Sequence, residues 1–333
     1  MAALPAPLLA LPGIEGSLER VEKALAASVI SDDPFLTEVA GHLIGAGGKR
    51  VRPALAVVAA SVATGGDTRD LPDEVIQGAI SVELVHLGSL YHDDVMDEAT
   101  TRRSVESVNA RWGNLVAILA GDFLLARSSE IASALGSEVA GLLAATISRL
   151  CEGQVAELQH AYGLDRSLEA YNRSISGKTA ALLATSCRIG ALVADLPRPQ
   201  VEALTLFGDR FGMAFQVVDD VLDIVASDDE LGKPSGNDMA EGVYTLPVIS
   251  TLAGGGPAAD ELRSILGSPL DRPAAEQARD IIRLQPAVTE ACDVARRYVD
   301  DAIAALEPLP PGPNVEALTA LAHHTVDRVT SRA

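Results

Sequence analysis

Two stretches place carboxylates where an apolar helix would resist them. YHDDVMDE, residues 91–98, holds Asp93, Asp94, Asp97 and Glu98 between the apolar AISVELVHLGSL and the basic TTRRS. FQVVDDVLDI, residues 215–224, repeats the i, i+1, i+4 spacing at Asp219, Asp220 and Asp223. On a helix, residues i and i+4 share a face, while i+1 is turned about 100° aside. Asp93 therefore points with Asp97, and Asp94 points aside. Burying such groups is costly unless cations compensate them. Oxygen ligands without His or Cys suit a hard cation such as Mg2+, which keeps waters and shares substrate phosphates. One such cluster reads equally well as a solvated helix end. Two, each in an apolar helix, read as acidic walls of one metal-holding cavity.

GGKRVRP, residues 47–53, concentrates Lys49, Arg50 and Arg52 in a chain short of cations. At a helix N-terminus, with glycines that allow close backbone approach, these residues suit a diphosphate, although a GGKR stretch taken alone is more often a solvated loop. Arg102 and Arg103 follow the first acidic cluster closely enough to meet the same ligand, and simple pairing with Glu98 or Glu106 is an equally open reading.

The elements that must carry these groups are helices. Hydrophobic residues make up 48% of the 333, aromatics only 3%, so the core is built from Ala, Leu, Val and Ile. Strict alternation with β-branched enrichment is missing, whereas helical spacing recurs in 72–98, 115–135, 137–160, 167–195, 198–226, 272–305 and 313–331. SDDPFLTEVAGHLIGAGG opens with capping residues and a proline and stops at glycines. Short Gly- and Pro-rich loops separate these segments, with no repeat of fixed period. The expectation is a single all-α domain over 1–333, with residues 1–15 flexible.

The formal charge of -20, from 26 basic and 46 acidic residues, argues against nucleic acid and anionic membrane as partners. Cys151, Cys187 and Cys292 form no CxxC pair and read as reduced thiols of a cytoplasmic protein. MAALPAPLLALPG lacks a basic n-region and makes a poor signal peptide; no later stretch suits a membrane span.

Six motifs in order, GGKRVRP, Asp93-Asp94-x-x-Asp97, Arg102-Arg103, GKTAALL, FQVVDDVLD and GKPSGND, resemble those of trans-isoprenyl diphosphate synthases. The resemblance spans roughly residues 40–250. It is strongest to the long-chain polyprenyl diphosphate synthases of bacterial quinone (for instance menaquinone) biosynthesis. It implies an isoprenoid synthase fold of about a dozen helices around a deep cavity, usually homodimeric. The implied reaction is Mg2+-dependent head-to-tail condensation of isopentenyl diphosphate with an allylic prenyl diphosphate. The implied product is an all-trans chain of C30 or longer.

The same resemblance assigns metal binding to Asp93, Asp97 and Asp219, with Asp94, Asp220 and Asp223 in support. Arg102, Lys178 and Lys233 match positions that hold the allylic diphosphate. Lys49, Arg52, His86 and Arg103 match those that bind isopentenyl diphosphate. Thr179 and Gln216 match positions whose oxygens lie near the developing cation. Without the resemblance, His86 would read as a hydrogen-bonded core histidine. Two departures stand out: Val243 occupies a place where many relatives carry Lys, and Ser104 one where they carry Gly.

Product length is read from Gly88 and Ser89, four to five residues before Asp93, where short-chain relatives often place aromatics. Small residues there leave the cavity without a floor; alternatively they let two helices pack closely. The two-residue spacing between Asp94 and Asp97 also argues against a short-chain product. The competing functions are a geranylgeranyl or farnesyl diphosphate synthase, or a subunit of a heteromeric synthase. A class I terpene cyclase fits less well, because the second cluster is DDxxD and the GGKRVRP motif is present. A metal-dependent phosphohydrolase would normally add His ligands, and only His92 stands by.

Overall fold

A computed structural model describes residues 5–231 and 235–330. The chain separates into two compact units. The first comprises Met1–Ile147, Leu182–Gly208 and Ala305–Leu321; the second comprises Ser148–Ala181, Asp209–Ala304 and Ala322–Ala333.

The first unit is organised on one long helix, Asp73–Met96. Asp73 and Glu74 sit in its first turn, where the helix dipole favours negative charge. Residues all round it are buried, from Val75 through Val85 and Leu87 to Tyr91 and Asp94, as a central core helix requires. The Pro34–Gly45 helix starts as its sequence dictates: Pro34 opens the first turn, and the Asp33 carboxylate accepts from Phe35 N at 2.8 Å. Tyr91 OH donates to the Val39 carbonyl at 2.7 Å and ties that helix to the central one. On another side, the Asn114–Ala134 helix is tied by Ser128 Oγ, which donates to the Ser81 carbonyl at 2.7 Å.

Helix content matches the sequence reading, with one small exception among the described residues. Thr101–Arg102 and Val105–Glu106 pair as an antiparallel hairpin, in the register Thr101↔Glu106 and Arg102↔Val105. Its two-residue turn puts both Arg103 (φ 53) and Ser104 (φ 63) in the left-handed region, as a type I′ turn demands. Ser104 thus adopts a conformation that glycine would adopt without strain.

In the second unit, Leu168–Ile175 is capped by Ser167, whose Oγ accepts from Ala170 N at 3.1 Å. A π-helical turn, Ser176–Ala180, follows. The 272–305 segment is two helices, Arg272–Arg283 and Ala287–Ala305, because Pro286 ends the first run. Leu246–Gly254 and Gly256–Ile265 are helices that periodicity did not single out, being short and split by glycines. Ala6–Leu9 is helical, and Leu8, Leu11 and Ile14 are buried, because the apolar character of that stretch drives it into the core. Among the described residues no helix is long and apolar enough to cross a membrane.

Candidate active site

In the first unit the candidate residues are strung along Asp73–Met96. His86 and Asp93 are seven residues, or about 10 Å, apart along its axis. Near His86 the surroundings are basic. Glu83 is 2% exposed and accepts from Arg50 Nη1 at 2.9 Å, with Arg103 Nη2 3.9 Å away. Arg50 is also buried, and its Nε and Nη2 donate to the Glu22 carboxylate at 2.5 and 3.1 Å. It precedes the Val51–Ala60 helix in a left-handed conformation (φ 48) that costs an L-residue roughly 1–2 kcal/mol. The two carboxylates hold it there. Arg103 Nη1 donates to the carbonyls of Leu43, at 3.0 Å, and Gly47.

Burial, followed by the charges of Arg52 and Arg103, holds the half-buried His86 well below the usual imidazole value. The ring is therefore neutral at neutral pH, able to donate from one nitrogen and accept at the other. Burial likewise raises Glu83, against the pull of Arg50, Arg52 and Arg103. Arg52 is half-buried, and Lys49 is exposed.

At the other end of the helix, Asp93 is half-buried and Asp97 exposed, with Asp97 N donating to the Asp93 carbonyl at 2.8 Å. Asp94 turns inward, as its i+1 position requires. It is fully buried, and Arg102 Nε donates to its Oδ1 at 2.7 Å with Nη2 2.6 Å away. Asp94 Oδ2 has no hydrogen-bond partner among the described residues. So Asp94 braces Arg102, whereas Asp93 and Asp97 occupy the open end of the helix.

The second unit carries the other motif on the Arg198–Val225 helix. Asp219 is partly exposed, and Arg328 Nη1 lies 3.5 Å from its Oδ1. Asp220 and Asp223 are buried. Asp220 accepts from Tyr171 OH at 2.5 Å on one oxygen and from Gln216 Nε2 at 2.9 Å on the other. Burial raises it to about 7, and those two hydrogen bonds act in the opposite sense. Gln216 Oε1 in turn accepts from Thr179 Oγ1 at 2.6 Å. Lys178 Nζ donates to Glu157 at 2.7 Å. The π turn sets Lys178 and Thr179 against the Ser137–Leu158 helix, where Gly177 meets Gly153: a Cβ on Gly177 would lie 2.9 Å from Gly153 Cα. Lys233 lies outside the described residues.

Among the described residues no three His, Cys, Asp or Glu side chains come together as a ready-made metal cage. The donors fit a hard cation nonetheless. They are carboxylate oxygens at an accessible helix end, the set Mg2+ uses when water and phosphate complete its shell.

A Cβ on Gly88 would meet Gly121 O and Leu125 Cγ at 3.1 Å, so the small residue there lets its helix pack closely against Asn114–Ala134. Ser89 is half-buried, its Oγ donating to the His86 carbonyl at 2.8 Å.

The sequence matches the polyprenyl synthetase family over residues 33–283. The chain belongs to that family. It is similar to a nonaprenyl diphosphate synthase of Mycobacterium tuberculosis, 38% identical over 316 residues covering 95% of this chain and 93% of that protein. It is also 38% identical, over 302 residues, to heptaprenyl diphosphate synthase component 2 of Geobacillus stearothermophilus, covering 89% and 91%. A crystal structure of geranylgeranyl pyrophosphate synthase from Corynebacterium glutamicum, complexed with calcium and isoprenyl diphosphate, superposes with a TM-score of 0.83 at 40% identity, covering 95% and 96%. The resemblance read from the six motifs therefore holds, and the chain is a prenyltransferase with the all-helical isoprenoid synthase fold.

Within this prenyltransferase, sequence reading missed Glu83, Glu22, Glu157 and Tyr171, all partners of named site residues. Glu83 carries the signal used elsewhere: a lone carboxylate inside apolar SVELVH needs a buried cation. Glu22 and Glu157 lie on amphipathic stretches, where a glutamate reads as solvated. Tyr171 carries no signal beyond being one of five tyrosines.

Proposed function

We propose that this chain condenses isopentenyl diphosphate head-to-tail with an allylic prenyl diphosphate, giving an all-trans polyprenyl diphosphate of C30 or longer for a quinone side chain. The observation that carries the reading is the two-station helix of the first unit. A basic station gathers Arg50, Arg52, Arg103 and neutral His86 about buried Glu83. An acidic station, Asp93 and Asp97, stands about 10 Å further along the same helix. One diphosphate must be held without being activated, and the other must leave; separate stations of opposite charge suit the two tasks.

Asp93 and Asp97 on the first unit, and Asp219 on the second, would be the residues to hold Mg2+, which would supply positive charge to the leaving diphosphate. Arg102, held by Asp94, and Lys178, held by Glu157, add charge-assisted contacts to the allylic diphosphate, as would Lys233. Lys49, Arg52, His86 and Arg103 hold isopentenyl diphosphate, so its double bond meets the allylic carbon as the carbon–oxygen bond breaks. Thr179 and Gln216 present oxygens to the positive charge. The new bond leaves a tertiary cation, and loss of one proton to the departing pyrophosphate restores a double bond. On this reading the whole chain works as one isoprenoid synthase domain in the cytoplasm.

A homodimer belongs to the same proposal. The Asn114–Ala134 helix exposes Leu115 (79%), Ile118 (40%) and Leu119 (66%) in adjacent positions, an apolar stripe that a second copy would cover. Similarity to a protein named component 2 supports a second reading, in which a different subunit covers that stripe.

Incubating the purified chain with Mg2+, isopentenyl diphosphate and farnesyl or geranylgeranyl diphosphate, then chromatographing the products, tests all of this. A product of C30 or longer from the chain alone is expected. Activity only after a second subunit is added would favour the heteromer, and a C15 or C20 end product would overturn the long-chain assignment.

A further inference from the structure

The second unit contains a hydrogen-bond chain whose far end has no part in the chemistry so far. Thr179 Oγ1 donates to Gln216, Gln216 Nε2 donates to Asp220, and Tyr171 OH donates to the other oxygen of Asp220. Tyr171 and Asp220 are each 1% exposed, and Thr179 7%. Beneath them Arg166, 5% exposed, sets its guanidinium 5.7 Å from the Tyr171 ring centroid and donates to the Tyr244 carbonyl at 2.9 Å. The phenol is therefore locked from its own side.

The direction of the chain follows from donor and acceptor counting. Asp220 meets a donor at each oxygen, Tyr171 OH at Oδ2 and the Gln216 NH2 at Oδ1, so the Gln216 oxygen is the one turned toward Thr179. Flipping the amide would set two acceptors against each other. The Thr179 proton is consequently used inward, and only lone pairs remain on its outer side. Without Tyr171, Asp220 Oδ2 loses its donor, the carboxylate can rotate, and the amide orientation loosens with it.

We propose that Tyr171 is a positioning residue for condensation, fixing the Thr179 hydroxyl through Asp220 and Gln216 so that its lone pairs meet the positive charge developing on the allylic carbon. The proposal rests on the prenyl-transfer reading and deepens it. It assigns Tyr171 no contact with substrate, so its loss acts on the transition state more than on ground-state binding.

The test is a double-mutant cycle of Tyr171→Phe and Thr179→Val, scored on condensation kcat and on KM for each diphosphate. Tyr171→Phe is expected to lower kcat about 10-fold or more with both KM values within twofold. The double variant is expected to be no slower than the slower single one, because both changes break one relay. Losses that multiply, or a Tyr171→Phe enzyme with wild-type kcat, overturn the proposal. Should Tyr171→Phe not fold, 3-fluorotyrosine at position 171 keeps the ring and hydroxyl but makes a stronger donor that draws charge away from Gln216. A kcat reduced at least threefold then supports the relay, and an unchanged kcat overturns it. Wild-type enzyme is assayed first, so that absence of any condensation removes the functional reading itself rather than this relay alone.

Discussion

Gly88 and Gly121 back closely onto one another: a Cβ on Gly88 would lie 3.1 Å from the Gly121 carbonyl oxygen, and one on Gly121 3.2 Å from the Gly88 oxygen and closer still to His92 Nε2. Gly88→Tyr should therefore lower stability by about 1–3 kcal/mol or more, as overpacking does, and say little about product length. Ser89→Phe, half-buried and four residues before Asp93, should shorten the product toward C15–C20 while condensation continues. Product chromatography and urea melts separate the two outcomes, and an unchanged chain length in Ser89→Phe would rule out a cavity running past Ser89.

Ser104→Gly should stabilise the protein by up to about 1 kcal/mol. Ser104 holds the second left-handed position of the Arg103–Ser104 turn, a conformation without penalty for glycine. Equilibrium urea unfolding of the two proteins measures the difference, and a less stable variant would contradict the turn assignment.

Asp93→Ala and Asp94→Ala should fail differently. The first should lower turnover by several orders of magnitude at saturating Mg2+ with an unchanged melting curve. The second removes a buried partner of Arg102 and should cost about 1–3 kcal/mol of stability as well. Single-turnover rates beside thermal melts distinguish the two, and near wild-type turnover in Asp93→Ala would dismiss its metal role.

Lys49→Ala and Arg52→Ala should raise KM for isopentenyl diphosphate roughly 10- to 100-fold, the equivalent of one lost charge-assisted contact. KM for the allylic substrate should move less. Equal weakening of both substrates would merge the two stations that the proposal keeps apart.

His86 makes stability pH-dependent in a defined direction. Its folded pKa lies well below the ordinary 6.5, so the unfolded chain takes up the proton first as pH falls. Its contribution is complete above about 6.5 and declines below that value. Urea midpoints at pH 7.5 and pH 5.5 should differ less in His86→Gln than in wild type. An equal difference in both would place the acid sensitivity elsewhere.

The helical class and both aspartate motifs were legible because carboxylates at i, i+4 in apolar surroundings have few alternative explanations. The i+1 rule also anticipated that Asp94 would turn away from Asp93. What sequence could not give was pairing across long separations. Glu22 meets Arg50 from 28 residues away and Tyr171 meets Asp220 from 49, and neither leaves a periodic trace. Gly88 was ambiguous for a related reason. A small residue opens space for a ligand or for a neighbouring helix, and the close approach of Gly121 is something no sequence pattern announces.

The spacing of the two stations on one rigid helix has a kinetic meaning. In head-to-tail condensation the product keeps the diphosphate of the incoming five-carbon unit, so on the proposed reading each new product starts with its head at the basic station around His86. To react again it must bring that head to the acidic station at Asp93, about 10 Å away. Chain growth is then a stepping motion with a fixed stride, its hydrocarbon tail advancing one isoprene unit per step. How many steps are taken before release depends on whether that transfer outruns dissociation, so on the proposed assignment the grip of Arg52 and Arg103 would govern processivity as well as affinity.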